Sequence, residues 1–410
     1  MQDLALSPNP SPRLVSIDVL RGLTMVTLVV QGEVALLDGI PAWAKHAQVS
    51  DTMTFIDVIF SVFLFVVGMS IPLALDRRRM AGASSGQLWR HVLLRTLWLL
   101  IIGIGLGNMR SGRWGIVPIG LSGSLWSVLL IVSFILVWNR YPACRGRLRK
   151  LPLVLRSLGI VLLVYLAAIY REKSGEQIHW LVCRFYIIGI IGWAYLIACS
   201  IYLLFRKQLA AVVGCLALLI LIYIGDRGGL FDRFQIFIGP DEHTQIGSLW
   251  GSWPAMTVAG LFIGILLGKN SPASTPKAFA LWTLLFAAGL FFAGFLLRPL
   301  YGAFKGAATP SWSLYSAAIA CLIYLVLYYV IEIWNMRRWT KGIIPFGENP
   351  LLPYFLNFGI HPLLVVLHVE SITSRFDSGM AGGVRVIIYS AIVLGLAAWL
   401  TRRCYVRIGL

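Results

Sequence analysis

Residues 55–75 read FIDVIFSVFLFVVGMSIPLAL. The run holds a single charge, Asp57, near its start, and is followed at once by Asp76, Arg77, Arg78 and Arg79. A bilayer core is crossed by roughly 20 apolar residues in helical form. A transmembrane β-strand would instead alternate with period two over about ten residues. This run is longer and does not alternate, so it reads as a membrane-spanning helix. Just ahead of it, in WAKHAQVSDTMT (43–54), stands a loop histidine, His46.

Working outward, the same pattern repeats along the chain. Of 410 residues, 58% are apolar and only 13% are charged, against roughly 25% charged in soluble domains. Twelve spans are predicted, near 14–37, 54–75, 91–108, 118–139, 151–170, 181–205, 208–225, 249–268, 278–297, 312–334, 344–367 and 384–401. Four prolines, Pro345, Pro350, Pro353 and Pro362, fall in the eleventh. The fold class expected is an all-α polytopic integral membrane protein of about 11–12 transmembrane helices. No separate soluble domain and no internal repeat are visible. Gly260, Gly264 and Gly268 form a small-residue stripe suited to close helix packing.

The net charge of +18 would suit a nucleic-acid binder, but aromatic-interleaved basic patches are absent. Basic loops explain it better, because Lys and Arg set membrane orientation. With a cytoplasmic N-terminus, the inside segments hold about twice as many Lys and Arg as the outside loops. Both termini are therefore expected in the cytoplasm, and His46 outside. The six cysteines include no CxxC pair, and several sit in apolar runs. That predicts neither a disulfide framework nor a zinc site. The polar N-terminus leads straight into a full-length apolar segment, so the first helix is expected to be retained.

Charged side chains inside spans are costly and usually face a cavity or a partner. The first helix carries Asp18, Arg21 and Glu33. Asp18 and Arg21 are three apart and share a face. They read either as a structural pair fixing that helix or as part of a binding site. Glu33 lies twelve residues beyond Arg21, about 18 Å along the helix, at the outer end. Asp57 starts the second helix at the same level, with His46 between them. A lone loop histidine is usually inert, but one flanked by two such carboxylates suits a general base held by an acid. No serine or cysteine motif offers a protein nucleophile. The nucleophile is then an incoming hydroxyl or amine, which describes acyl transfer to an acceptor on the outer side.

These residues resemble a known group. RLVSIDVLRGLTMV (13–26) resembles the opening of the transmembrane acyltransferase superfamily, where an Arg and then Asp-x-x-Arg-Gly begin the first helix. His46 with TFIDVIFSVFLFVVG (54–68) resembles its second block. The late stretch RRWTKGIIPFGENPLLPYFL (337–356), with Gly347, Asn349 and Tyr354, resembles a later block more weakly. The closest likeness is to the heparan-α-glucosaminide N-acetyltransferase group and its bacterial relatives, and with the helix count it covers most of the chain. It implies one acyltransferase-like domain over 1–410, with a motif-bearing core at 13–75 and a late motif at 337–361. It also implies an integral protein of the bacterial inner (cytoplasmic) membrane. The activity implied is transfer of an acyl group, acetyl by this likeness, from cytoplasmic acetyl-CoA to a sugar or amino-sugar acceptor on the far side. His46 matches the essential histidine, as general base or transient acyl carrier, with Asp57 or Glu33 orienting it. Gln31 and Glu33 are candidates for a polar residue lining the site. Relatives carry Trp-x-Gly after the histidine and a proline after Asp-x-x-Phe; here AQVSD (47–51) and Ser61 stand instead.

The remaining site residues follow from what the donor and acceptor need. Arg77, Arg78, Arg79, Arg90 and Arg95 cluster around an inside loop, where guanidinium forks suit the phosphates of CoA. They serve equally as topology determinants or lipid-phosphate anchors. Arg156 and Arg184 lie within spans, where they could be structural counter-ions. Trp250 and Trp253 follow an outer loop and offer aromatic faces to a sugar, or else belong to an interfacial belt. Asn349 sits in the proline-broken span and is a candidate cavity-lining group for substrate. His361 and His368 lack carboxylate company, and no metal is predicted. The partners expected are acyl-CoA, a carbohydrate acceptor and membrane lipids, with no nucleic acid; a homodimer is an open option. The competing function is a sugar or amino-sugar transporter without acyl transfer, for which the missing repeat counts against.

Overall fold

The structure is a computed structural model. It describes residues 14–35, 37–49, 51–111, 121–142, 149–170, 186–206, 208–233, 246–268, 271–369, 376, 378–403 and 406–409. Arg184, Cys144, Cys183, Cys404 and most of the loop before Trp250 lie outside the described residues. Helices run in the order α1 Val15–Val34, α2 Phe55–Met80, α3 Ser85–Ser111, α4 Gly123–Trp138, α5 Leu151–Ile169, α6 Ile187–Phe205, α7 Leu209–Arg227, α8 Trp253–Leu266, α9 Pro276–Tyr301, α10 Pro310–Tyr328, α11 Ile344–Glu348, α12 Leu351–Val366 and α13 Gly379–Arg403. Single π-helical segments precede α8 (Gly247–Ser252) and follow α10 (Tyr329–Ile333).

Among the described residues, ten helical stretches are long and apolar enough to cross a membrane, and two shorter apolar helices, α4 and α12, accompany them. Among the described residues there is no strand, only the isolated bridges Asp38–Ser378 and Asn139–Ile408. The chain is an all-α polytopic membrane protein. Helices are the outcome because a segment in hydrocarbon must satisfy its backbone N–H and C=O groups within itself. Most of the expected spans coincide with a helix to within a few residues at each end. The eleventh does not form one rod: its prolines divide it into α11 and α12, with Asn349 at the break in a non-helical conformation (φ −133°, ψ 60°).

The innermost seam joins α2 to α8. A Cβ on Gly68 would collide with the carbonyl of Thr257, and one on Gly260 with the carbonyl of Phe65. One on Gly264 would meet Met69 O. Residues 65 and 69 thus pair with 260 and 264 in the same direction, so the two helices run parallel at backbone contact. Two glycines of the predicted stripe carry this packing. Gly268 stands outside it, its nearest neighbour being Ile265 of its own turn. With no hydrophobic drive between helices in lipid, such small-residue contact is what holds them together.

At the arginine-bearing end, Arg21 gathers three elements. It donates to Asp18 Oδ1 (3.3 Å) on α1, to Ser70 Oγ (2.6 Å) on α2 and to Gly347 O (3.1 Å) on α11. Of the two readings of Asp18–Arg21, this geometry is that of a structural pair. Asn349 closes the helix break. Its amide donates to Thr401 Oγ1 (3.0 Å) and Val406 O (2.9 Å), and its oxygen accepts from Ile408 N (3.1 Å).

Candidate functional site

At the opposite end, the N-terminus of α2 builds the site. Thr54 is its N-cap, and Asp57 at the third helical position reaches back to the Thr54 backbone N–H (3.1 Å), the carboxylate arm of a capping box. The same oxygen accepts from Ala47 N (3.1 Å) and lies 2.9 Å from the Thr54 hydroxyl. That hydroxyl also lies 2.8 Å from Lys45 O, so its one proton serves either partner. These bonds fold Lys45 and Ala47 back onto the helix start and leave Asp57 fully buried.

The other oxygen of Asp57 faces His46, Oδ1 to Nδ1 at 2.7 Å. A carboxylate only accepts, so Nδ1 carries the proton and Nε2 keeps the lone pair. Gln31 Nε2 lies 2.8 Å from His46 Nε2, and the amide N–H donates to that lone pair. Donor–acceptor matching makes these assignments. The result is a base with its far nitrogen fixed by an acid and its near nitrogen capped by an amide that a hydroxyl or amine could displace. The imidazole side chain is 38% exposed, so it can meet a molecule from outside the bundle. The amide oxygen of Gln31 is buried with no hydrogen-bond partner.

Sequence reasoning offered Asp57 or Glu33 as the orienting acid, and geometry separates them. Glu33 turns to α13, where Arg385 Nη1 is 3.9 Å from its Oε2. Gln31 and Glu33 are two residues apart, about 200° around a helix, and so cannot face the same partner. Asn349 was a candidate substrate contact, but it lies at the other end with both amide protons and its oxygen bonded. Trp253 is not an exposed platform for a sugar. It is 3% exposed and packs between Phe60 and Trp312, at 5.3 and 5.1 Å between ring centres. Trp250 is exposed and meets Trp193 edge-on at 4.8 Å. Arg77, Arg78, Arg79 and Arg90 are exposed at the end away from His46, whereas half-buried Arg95 lies over the Tyr195 ring at 4.9 Å.

Two partners carried no signal in the sequence. Lys305, in the loop between α9 and α10, brings Nζ to 3.4 Å from His46 Nδ1. Asp51, the last residue of AQVSD, ties that loop to the His46 loop. It accepts from Arg298 Nε (2.8 Å) and from Ala303 N (3.0 Å). Gly302 sits against Asp51 with φ +65°, where a side chain would be strained and crowded. The Arg298 hydrogen bond, and then that of Ala303, hold the Asp51 carboxyl below its ordinary 3.8.

The fold and this site define a class: a polytopic helical membrane protein with a buried-acid, exposed-histidine pair at one end. More particularly, the chain belongs to the DUF5009 family, described as a domain of unknown function, whose model matches residues 13–232. No curated protein matches the chain. The matched segment runs through α1–α7 and includes Gln31, His46 and Asp57. Lys305 and Arg385 lie beyond it.

Proposed function

We propose that this protein is a membrane acyltransferase. It moves an acyl group, acetyl by the likeness of its first two helices, from cytoplasmic acyl-CoA to a sugar or amino-sugar acceptor on the extracytoplasmic side of the bacterial inner membrane. The observation that carries the reading is the His46 triad of contacts: Nδ1 on buried Asp57, Nε2 on a displaceable amide, and the ring open to solvent. An acceptor O–H or N–H takes the place of the Gln31 amide at Nε2. His46 removes its proton as the acceptor atom bonds to the thioester carbonyl carbon. The C–S bond then breaks, and the leaving sulfur takes the proton back. Asp57 holds the tautomer and stabilises the imidazolium between those steps. A route through an acyl-His46 uses the same lone pair. The exposed arginines at the far end offer charge for the phosphates of CoA, which would stay on that side.

The competing reading, transport without chemistry, draws on the helix broken between α11 and α12, since broken helices at membrane depth line cavities. That break is filled by Asn349 bonded to Thr401 of α13 and to the backbone of Val406 and Ile408, which weakens its case. The test uses the full-length protein in vesicles with acetyl-CoA and an amino-sugar acceptor, following release of free thiol. His46→Ala is expected to lower turnover by about 10²–10⁴-fold with acetyl-CoA binding retained. Undiminished turnover in that variant would refute the reading, and sugar counterflow independent of CoA would favour the transporter.

A further inference from the structure

Lys305 is the one cation within hydrogen-bond distance of His46 among the described residues, and it reaches there across 259 positions of sequence. Its placement is built rather than incidental. The loop 302–309 is closed on itself by Ala308 N donating to Lys305 O (2.9 Å), Thr309 N to Phe304 O (3.1 Å) and Phe304 N to Thr309 Oγ1 (3.0 Å). Tyr223 of α7 donates to Ala307 O (3.1 Å). Asp51 then fastens the start of this loop to the His46 loop through Arg298 and Ala303. Lys305 therefore stands at the imidazole because its own loop is closed and is tied both to α7 and to the His46 loop.

Nδ1 already has an acceptor in Asp57 at 2.7 Å, so a lysine ammonium at 3.4 Å adds little as a donor. What it adds is positive charge beside a ring that would itself become positive on taking a second proton. Like charges at this range disfavour each other's charged forms. The groups facing the ring can be named: Asp57 from α2, uncharged Gln31 from α1, and Lys305 from the α9–α10 loop, with Lys45 next to it in its own loop. Glu33 and Arg385 pair on the other face of α1.

We propose that Lys305 is a positioning residue of the His46 site, whose ammonium opposes a second proton on the imidazole and so keeps the Nε2 lone pair available to an acceptor. This role rests on His46 acting as a base, as set out under the proposed function. It is tested without needing turnover. Diethyl pyrocarbonate carbethoxylates neutral imidazole nitrogen, and peptide mass spectrometry resolves His46 from the other histidines. The measured quantity is the ratio of His46 modification rates at pH 6 and pH 8.5 in the full-length protein.

Lys305→Gln is expected to lower the pH 6 rate by about tenfold relative to wild type, while leaving the pH 8.5 rate alike. Lys305→Arg keeps the wild-type ratio. Asp51→Asn, which loosens the loop without removing the ammonium, moves the ratio in the same direction as Lys305→Gln by less. It stands in should the glutamine variant fail to fold. A merely structural role would change both rates together. An unchanged ratio in Lys305→Gln overturns the proposal, as does a His46 that is unreactive at pH 8.5 in the wild type. Acyl transfer that survives His46→Ala would sink the enzymatic reading instead, and leaves the protonation measurement standing.

Discussion

The two ends of α1 each carry a polar side chain bonded across helices, and they are built in opposite ways. At the arginine end, Arg21 is spread over Asp18, Ser70 and Gly347, and nearby Asn349 has both amide protons and its oxygen engaged by the chain's own tail. At the other end, Gln31 bonds His46 through one amide proton and leaves its oxygen buried without a partner. The imidazole it caps is more than a third exposed. Both ends use amides and ionic pairs. The difference is closure. A polar group whose every bond is made by fixed backbone or packed side chains joins helices, whereas one left with an unspent acceptor beside a solvent-facing base has something still to bind.

The sharpest way to break this comparison is Asp57→Asn. The amide would still cap α2, but it can donate to Nδ1 and so favour the wrong tautomer. Turnover is expected to fall by about 10³–10⁴-fold, with a melting temperature near that of wild type. An active Asp57→Asn variant would place His46 among structural residues. Asn349→Ala is expected to do the reverse. It leaves the Thr401 hydroxyl, Val406 C=O and Ile408 N–H without their partner, at about 1 kcal/mol each. Thermal stability in detergent should drop accordingly while turnover per folded molecule holds; a selective loss of acceptor affinity would count against the closed-end description.

Gln31→Leu keeps the bulk but removes the cap on Nε2. A change in KM for the acceptor of about tenfold or less is expected, corresponding to one hydrogen bond, with acetyl-CoA affinity unaltered. The smallest effect belongs to Asp51. Its carboxyl is held below 3.8 by Arg298 and Ala303, so the loop clamp is fully present above that value. It is lost as pH falls through the lower, folded-state value. Proteolytic nicking of loop 302–309 should therefore rise only below about pH 4, and Asp51→Asn should show the raised rate at every pH.

The sequence made the membrane class plain because apolar runs near 20 residues have few other uses. Residues 151–170 are read almost to the ends of α5, and 54–75 meets the start of α2, which runs on past 75 to Met80. His46 and Asp57 were also visible, since a short loop sets the histidine close to a carboxylate at the start of the next helix. Glu33 was placed at the right level but not on the right side. Helical rise fixes depth along an axis, and which neighbour a side chain meets depends on azimuth and on helices far away in sequence, here α13. Lys305 and Arg385 were illegible for the same reason: their partners are set by tertiary packing alone. Asn349 misled because prolines predict a break at membrane depth and say nothing of what fills it.

The glycine seam has a consequence for biogenesis. Gly68 cuts a notch in α2 that fits the backbone of α8, a helix that begins only after residue 252. As the chain leaves the ribosome, α2 is inserted before α8 has been made, with that notch facing lipid or an insertase. The His46 loop is thus synthesised early, on a helix whose seat arrives late. A chain truncated before α8 would contain the histidine, its acid and its amide, yet lack the helix packed against α2.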